Sequence, residues 1–239
     1  MIIEAHIMCW NEERTIGLTI NHYQSFCDRI ILHDNYSDDD TIDIAEHMGC
    51  EVQVFGKKGV LDDKQYKDLK NNCWKGSNAD WVIIVDADEI VHVKDIRGKI
   101  DAYTNQGYTI CKTMGFNVYS YEYPISSYLE FTKGQFDNSY SKLCVFNPKR
   151  IREINYDYGA HVARPVGDVH YGPDKLWLLH YRGIGGHQRL VERHAEYRKR
   201  MSVENKKLGL GVHYAYDDQK RIKDWLAAYE NRIEIDVNN

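Results

Sequence analysis

The sequence predicts an α/β protein built on a parallel sheet with helices on both faces. Two observations carry that prediction: a continuous apolar run that ends in carboxylates, and a regular alternation of strand-like and helix-like segments before it. The run is Trp81-Val82-Ile83-Ile84-Val85, followed at once by Asp86-Ala87-Asp88-Glu89. An apolar stretch rich in β-branched residues reads as a strand buried on both faces, in the interior of a parallel sheet. Its acids fall at the C-terminal end, where open α/β sheets place their ligand crevices. Strand alternation would project Asp86 and Asp88 to the same side. Two like charges that close repel unless a cation lies between them or one takes a proton. Oxygen ligands of this kind suit Mg²⁺, Mn²⁺ or Ca²⁺ rather than zinc. The competing reading is that the acids only cap a following turn or helix.

The elements follow in order. Residues 2–10 read as a first strand, and Asn11-Glu12-Glu13 opens a helix over roughly 12–26, with Ile16, Ile20, Tyr23 and Phe26 at helical spacing. Arg29-Ile30-Ile31-Leu32-His33 is a second strand, and the acidic stretch Asp34–Asp40 a turn. Thr41 is placed to cap a helix that Gly49 stops. Cys50–Phe55 alternates as a third strand, and a helix over about 62–76 leads into the central one. Right-handed crossovers make such a βαβαβαβ series a parallel sheet. Beyond it a helix near 95–105 and strands at 108–112, 142–146 and 176–180 are expected, with long loops rich in Tyr and Ser between them. Charged helices over about 188–207 and 217–232 end the chain. With no repeat and no linker, one domain is the economical reading: a nucleotide-side half (1–107), an acceptor-side half (108–187) and a helical tail (188–239).

Composition narrows the function. At 239 residues and a net charge of −5, the chain can bury a full core and offers no electrostatic footprint for nucleic acid. Basic clusters at 148–152 and between Arg189 and Lys207 could serve an anionic ligand but read first as solvated faces. Six scattered cysteines without a C-x-x-C pair read as reduced core residues. With no secretory pattern and no apolar stretch of membrane-spanning length, the expected location is cytoplasmic, or peripheral to a membrane. The 18 tyrosines suit a flat polar ligand such as a sugar or a base.

Several short motifs occur in a telling order: Trp10-Asn11-Glu12-Glu13, Asp34-Asn35-Tyr36-Ser37-Asp38-Asp39-Asp40-Thr41, Lys70-Asn71-Asn72, and Asp86-Ala87-Asp88. Together they resemble the nucleotide-sugar glycosyltransferases of the GT-A fold, especially family 2, with Tyr36 at a turn position that glycine usually takes. The resemblance is strong over residues 1–90, loose over 108–187 and silent for the tail.

That resemblance implies a metal-dependent, non-processive transfer of a sugar from a nucleoside-diphosphate sugar, UDP favoured over GDP, to a glycan or glycoconjugate hydroxyl. It implies Mn²⁺ or Mg²⁺ on Asp88, with Asp86 contacting the ribose or the metal through water. Cys9, Trp10, Asn11, Glu12, Asp34, Asn72 and Ala87 would complete the nucleotide side. His180, in Leu178-Leu179-His180-Tyr181-Arg182-Gly183, is the late histidine that would complete the metal shell. His161 and Asp157 are candidate general bases, with Glu89 and Asp137 as alternatives. Each assignment has a plainer rival: Asp34 as a turn-forming residue, Asn72 as helix surface, His180 as a hydrogen-bonded core residue. A nucleotidyltransferase also pairs acids with a divalent metal, but usually carries a Gly-rich basic loop after its first strand. Here no glycine follows that strand until Gly17. A non-catalytic sugar- or nucleotide-binding domain would leave Asp34, Asp86, Asp88 and His180 idle.

Overall fold

The apolar run at 81–85 forms the middle of the sheet. The structure, a computed structural model, describes residues 1–237. Its first half runs β1 (Ile3–Cys9), α1 (Ile16–Gln24), β2 (Arg29–Asp34), α2 (Thr41–His47), β3 (Glu51–Val54), α3 (Asp63–Asn72), β4 (Trp81–Asp86), β5 (Glu89–His92) and α4 (Ile96–Asn105). β1 pairs in parallel with both β2 and β4, and β2 with β3, so all four strands deliver their C-terminal ends to one edge. β1 alternates faces: Ile3, Ala5, Ile7 and Cys9 enter one core with α1 and α4, while Met8 enters a second core that includes Trp74 and Phe146. Burying each Ile or Val of β4 contributes about 1.5–3 kcal/mol before entropy is counted. The polar residues on the second face are bonded in a row, Glu4 to His6 and His6 to His33, each at 2.9 Å.

The second half consists of β6 (Ile110–Tyr119), β7 (Lys133–Phe136), β8 (Val145–Phe146), β9 (Ile151–Glu153), β10 (Val166–Gly167), β11 (Tyr171–Gly183), α5 (Gly186–Arg200), α6 (Val203–Leu208), α7 (Asp218–Glu230) and β12 (Ile233–Glu234). The sheet continues past β4 through β8, β6 and β7 to β12. β8 joins β4 antiparallel, so the sheet is mixed rather than wholly parallel.

Three sequence expectations change here. The strand does not run through the acids: β4 stops at Asp86, and Ala87 and Asp88 form a turn into β5. Alternation therefore does not govern how the two carboxylates point. Thr41 is not the helix cap; Asp40 holds that position, and the Thr41 hydroxyl accepts from the Glu12 N–H at 2.7 Å. The helix expected over 188–207 is two helices. At the break, Leu61 N–H donates to the Arg200 carbonyl at 2.7 Å and Ser202 N–H to the Leu61 carbonyl at 2.9 Å, so a loop of the first half interrupts the ladder. No helix among the described residues is long and apolar enough to cross a membrane.

Candidate functional site

β5 turns away from β4 and pairs antiparallel with β11, which places His180 opposite Glu89. β11 also pairs with β6, placing His180 opposite Asn117. The Tyr181 N–H donates to the Asp88 carbonyl at 2.8 Å, fixing the acidic turn to the same strand. Register alone thus gathers Asn117, His180 and the acids at one sheet edge. A cavity of about 420 Å³ lies there, walled by Cys9, Trp10 and Glu12 after β1, by Asp86, Ala87, Asp88 and Glu89, and by His180 and Arg182 of β11. Lys70 and Tyr66 of α3, Lys142, Tyr140 and His161 add to it, and α5 closes it with Arg189, Arg193 and Tyr197.

The two aspartates meet different partners. Asp86 receives Lys70 Nζ at 2.7 Å, with Lys142 Nζ at 3.7 Å, and Lys142 also pairs with Glu89. Lys70, Lys142 and Glu89 are at most 5% exposed, so these charges persist only because each is matched. Burial pushes the Asp86 carboxyl up, but Lys70 and Lys142 outweigh it and hold the group below its ordinary value. Burial pushes the Lys142 ammonium down, and Glu89 and Asp86 reverse that and raise it well above the usual lysine range. Protein cations therefore relieve the expected repulsion at Asp86.

Asp88 faces His180, with Oδ2 at 3.4 Å from Nε2. Burial pushes Asp88 up, and His180, Arg189 and Arg182 overcome it, leaving the carboxyl well below its ordinary range. The other imidazole nitrogen, Nδ1, lies 2.7 Å from Asn117 Oδ1, and Asn117 in turn donates its amide to Asp137 at 2.9 Å. The carboxylate of Asp137 only accepts, so the Asn117 oxygen is the atom turned to His180 and takes the Nδ1 proton. Nε2 is then the nitrogen turned to the Asp88 carboxylate. Such a pair fits a proton or a metal ion between them, and an imidazole with a carboxylate suits Mn²⁺ better than Ca²⁺.

The strand end after β1 is clamped by α5. Arg193 donates to the Trp10 carbonyl at 2.5 Å and the Asn11 carbonyl at 3.0 Å, and pairs with Glu12. The Arg200 guanidinium lies 3.5 Å over the Trp10 ring. Burial raises the Glu12 carboxyl against the opposing pull of Arg193 and Arg189.

Four expected site residues do not line this cavity. Asp34 is fully buried, and its carboxylate accepts from the Ser37 N–H at 2.7 Å and the Ser37 hydroxyl at 2.5 Å. That turn carries Tyr36 through φ 59°, the left-handed backbone for which glycine is usual. Asn11, itself at φ 49°, bonds Asp38 from both ends of its amide. Asn72 is exposed and donates to the Asp68 carbonyl at 2.7 Å. Asp157 is exposed and pairs with Arg164 at 3.0 Å. His161 does line the cavity, with Nδ1 2.7 Å from the Ser139 carbonyl.

Sequence reasoning missed how the cations pair inside the site. Lys70, the basic residue of the Lys70-Asn71-Asn72 motif, stands four residues after Tyr66 on the face of α3 that points inward, while Asn72 is helix surface. Arg189, Arg193, Tyr197 and Arg200 follow one helical face, a spacing visible in the sequence but read as solvated because of its charge. The clusters at 148–152 are indeed surface pairs, Lys149 with Asp80 and Arg150 with Asp168.

An open α/β sheet whose parallel strands end at a carboxylate-lined crevice, continued by antiparallel strands that complete it, is the arrangement that the resemblance to GT-A glycosyltransferases implies. Curated proteins that match part of the chain are named glycosyltransferases. An uncharacterized glycosyltransferase of Rickettsia typhi is 36% identical over 87 residues, 36% of this chain and 28% of that protein. The SPbeta prophage-derived glycosyltransferase SunS of Bacillus subtilis is 29% identical over 98 residues, 41% of this chain and 22% of that protein. The chain thus matches about a third or less of the length of these curated relatives. Among solved structures, S. aureus TarS 1–349 aligns over 96% of this chain and 72% of its own, at 11% identity and a TM-score of 0.49. Glucosyl-3-phosphoglycerate synthase of Mycobacterium tuberculosis, crystallised with Mn²⁺, UDP and glucosyl-3-phosphoglycerate, aligns over 48% of this chain and 44% of its own, at 19% identity and a TM-score of 0.36. No protein-family profile matches the chain.

Proposed function

We propose that this protein transfers a sugar from a nucleoside-diphosphate sugar, UDP-linked by preference, to an acceptor hydroxyl, one or a few residues at a time. The observation that carries the reading is the Asp88–His180 pair: a carboxylate oxygen and an imidazole nitrogen 3.4 Å apart, with the ring held by Asn117. Asp88 and His180 are the residues that would hold Mn²⁺ or Mg²⁺. When bound, the ion supplies Lewis-acid stabilisation of the charge that builds on the departing diphosphate.

The chain's own residues do the rest. Arg189, on the cavity wall, favours the diphosphate over water, and Lys70 and Lys142 keep Asp86 ionised beside it. Trp10, stiffened by Arg200 on one face and tied through Arg193, offers an aromatic surface to the nucleoside. His161 is the base we assign for the acceptor hydroxyl. Its Nδ1 proton is committed to the Ser139 carbonyl, which leaves Nε2 as the acceptor, and burial together with Lys142 lowers its pKa from 6.5 so that the ring is neutral at pH 7.

Calorimetric titration with UDP, with and without Mn²⁺, tests the reading. Wild-type protein should bind UDP only with the metal, and Asp88→Ala should weaken that binding at least about tenfold, roughly 1.4 kcal/mol. Equal UDP affinity in Asp88→Ala at saturating Mn²⁺ would remove the metal from the proposal.

A further inference from the structure

A second cavity of about 430 Å³ adjoins the first, and the two share Tyr140, His161 and Arg182. Its charged groups do not balance. Of its two carboxylates, Asp224 is paired with Lys220 at 2.6 Å. Asp137 accepts from the Ser139 N–H and the Asn117 amide, each at 2.9 Å, and from the Ser139 hydroxyl. What remains is Arg182 of β11 and Arg221 of α7, on either side of the buried His194 of α5. Arg182 Nη2 lies 2.5 Å from His194 Nε2, and Arg221 Nη1 contacts His194 Nδ1.

A neutral imidazole has one lone pair and can accept from only one of these guanidinium groups; the other must meet an N–H. Burial and the two arginines push His194 well below its ordinary value, so the ring stays neutral and cannot discharge either of them. No carboxylate pairs with Arg182 among the described residues. Its other close neighbours, Tyr140, Tyr197 and Tyr214, are un-ionised phenols. Asp88 lies across the first cavity and turns its oxygen to His180. Arg221 spends Nη2 on the carbonyls of His213, Tyr214 and Tyr216, its Nε is buried without a hydrogen-bond partner, and Asp218 stands off at 3.8 Å. Two guanidinium groups, partly desolvated and without a full anionic partner, form a preorganised anion receptor. Tyr119 beside them, half-buried, gives an aromatic wall for a sugar ring, backed by the buried Trp225.

We infer that this second cavity is the acceptor subsite and that it selects an anionic acceptor, one carrying a phosphate or carboxylate that Arg182 and Arg221 hold. The inference rests on the donor occupying the first cavity. His161, on the wall common to both, then stands between donor and acceptor hydroxyl.

The test keeps the donor subsite filled. The full chain, saturated with Mn²⁺ and UDP, is titrated calorimetrically with glucose, glucose 6-phosphate and glucuronate. At least one of the two anionic sugars should bind about tenfold or more tightly than glucose. The better of the two distinguishes a phosphate from a carboxylate acceptor. Arg221→Gln should bring the anions down to the level of glucose without changing UDP affinity, and Arg221→Lys should recover part of the difference. Three sugars that bind alike, or not at all, would overturn the inference. So would anions that bind only without UDP, because they would then be occupying the place of the diphosphate. Should Arg221→Gln not fold, the wild-type comparison decides alone. If UDP itself does not bind with Mn²⁺, the donor reading fails and takes this inference with it. That outcome is distinct from a UDP-loaded protein indifferent to charge.

Discussion

Asp88 and His180 present a carboxylate oxygen and an imidazole nitrogen to each other across 3.4 Å, and a third residue decides which nitrogen that is. Asn117 takes the Nδ1 proton at 2.7 Å, and Asp137 fixes the Asn117 amide at 2.9 Å. The four side chains come from a turn, two strands and a loop that the β5–β11–β6 register brings side by side. A relay of this kind sets an imidazole tautomer before any ion arrives, which is how outer residues tune metal ligands.

His180→Ala should therefore lower Mn²⁺ affinity and transfer rate together. The fold should survive, because the ring's main packing contact is one stacked tyrosine, Tyr140 at 4.1 Å, and the strand around it is buried independently. A core histidine would show the reverse, lost thermal stability with unchanged Mn²⁺ affinity. Asn117→Leu keeps the imidazole but frees its tautomer, and should weaken Mn²⁺ binding by roughly 10–100-fold. Mn²⁺ titration and thermal melts on the same two variants separate these outcomes.

How much of this was legible in the sequence depends on where each partner lies in the chain. β1, β2 and β4 declare themselves because a strand buried on both faces must be apolar throughout. The short β5 does not: Glu89-Ile90-Val91-His92 has no pattern of its own and exists by pairing with Trp177–His180 far along the chain. For the same reason the turn at Ala87–Asp88 was read as continuing strand. The acids were found because carboxylates after an apolar run are rare. Their lysine partners were not, since the sequence does not say that Lys70 and Lys142 are buried. The arginine face of α5 was on display at helical spacing, but its burial depends on Glu12 and Trp10 at the other end of the chain.

Lys142→Met tests the internal ion cluster. Removing this cation leaves Glu89 unpaired at 1% exposure and strips one of the two lysines from Asp86. The expected cost is about 3–5 kcal/mol, the range for breaking a buried pair from one side. Adding Glu89→Gln should recover part of it, because the orphaned charge is then gone. Urea unfolding of the single and double variants measures both.

Acid should weaken the same cluster in a defined direction. Asp86 has a folded pKa below its ordinary 3.8, so it contributes stability that is present above that value and lost as the pH falls through the lowered one. In metal-free buffer, wild type should melt higher than Asp86→Asn at neutral pH, where Lys70 and Lys142 are left facing a neutral amide. The gap should hold down to about 3.8 and close below it. A gap that stays constant through the acid range would show that Asp86 titrates at its unfolded value.

Arg193 is the joint between the C-terminal helices and the end of β1. Its guanidinium holds the Trp10 and Asn11 carbonyls at 2.5 and 3.0 Å, pairs with the buried Glu12, and lies about 5 Å from the centres of the Trp10 and Tyr197 rings. Arg193→Ala leaves Glu12 with Arg189 at 3.6 Å as its remaining cation. Stability should fall by about 2–5 kcal/mol, since a hydrogen-bonded buried charge loses its partner. UDP affinity should fall as well, because Trp10 loses the contact that fixes its backbone. Arg193→Lys keeps the charge but not the fork, and should recover stability more than UDP binding. The pair Arg193→Ala with Glu12→Gln should regain much of the lost stability with no gain in UDP affinity. If that double variant binds UDP like wild type, Arg193 matters only to folding, and α5 has no part in holding the nucleoside.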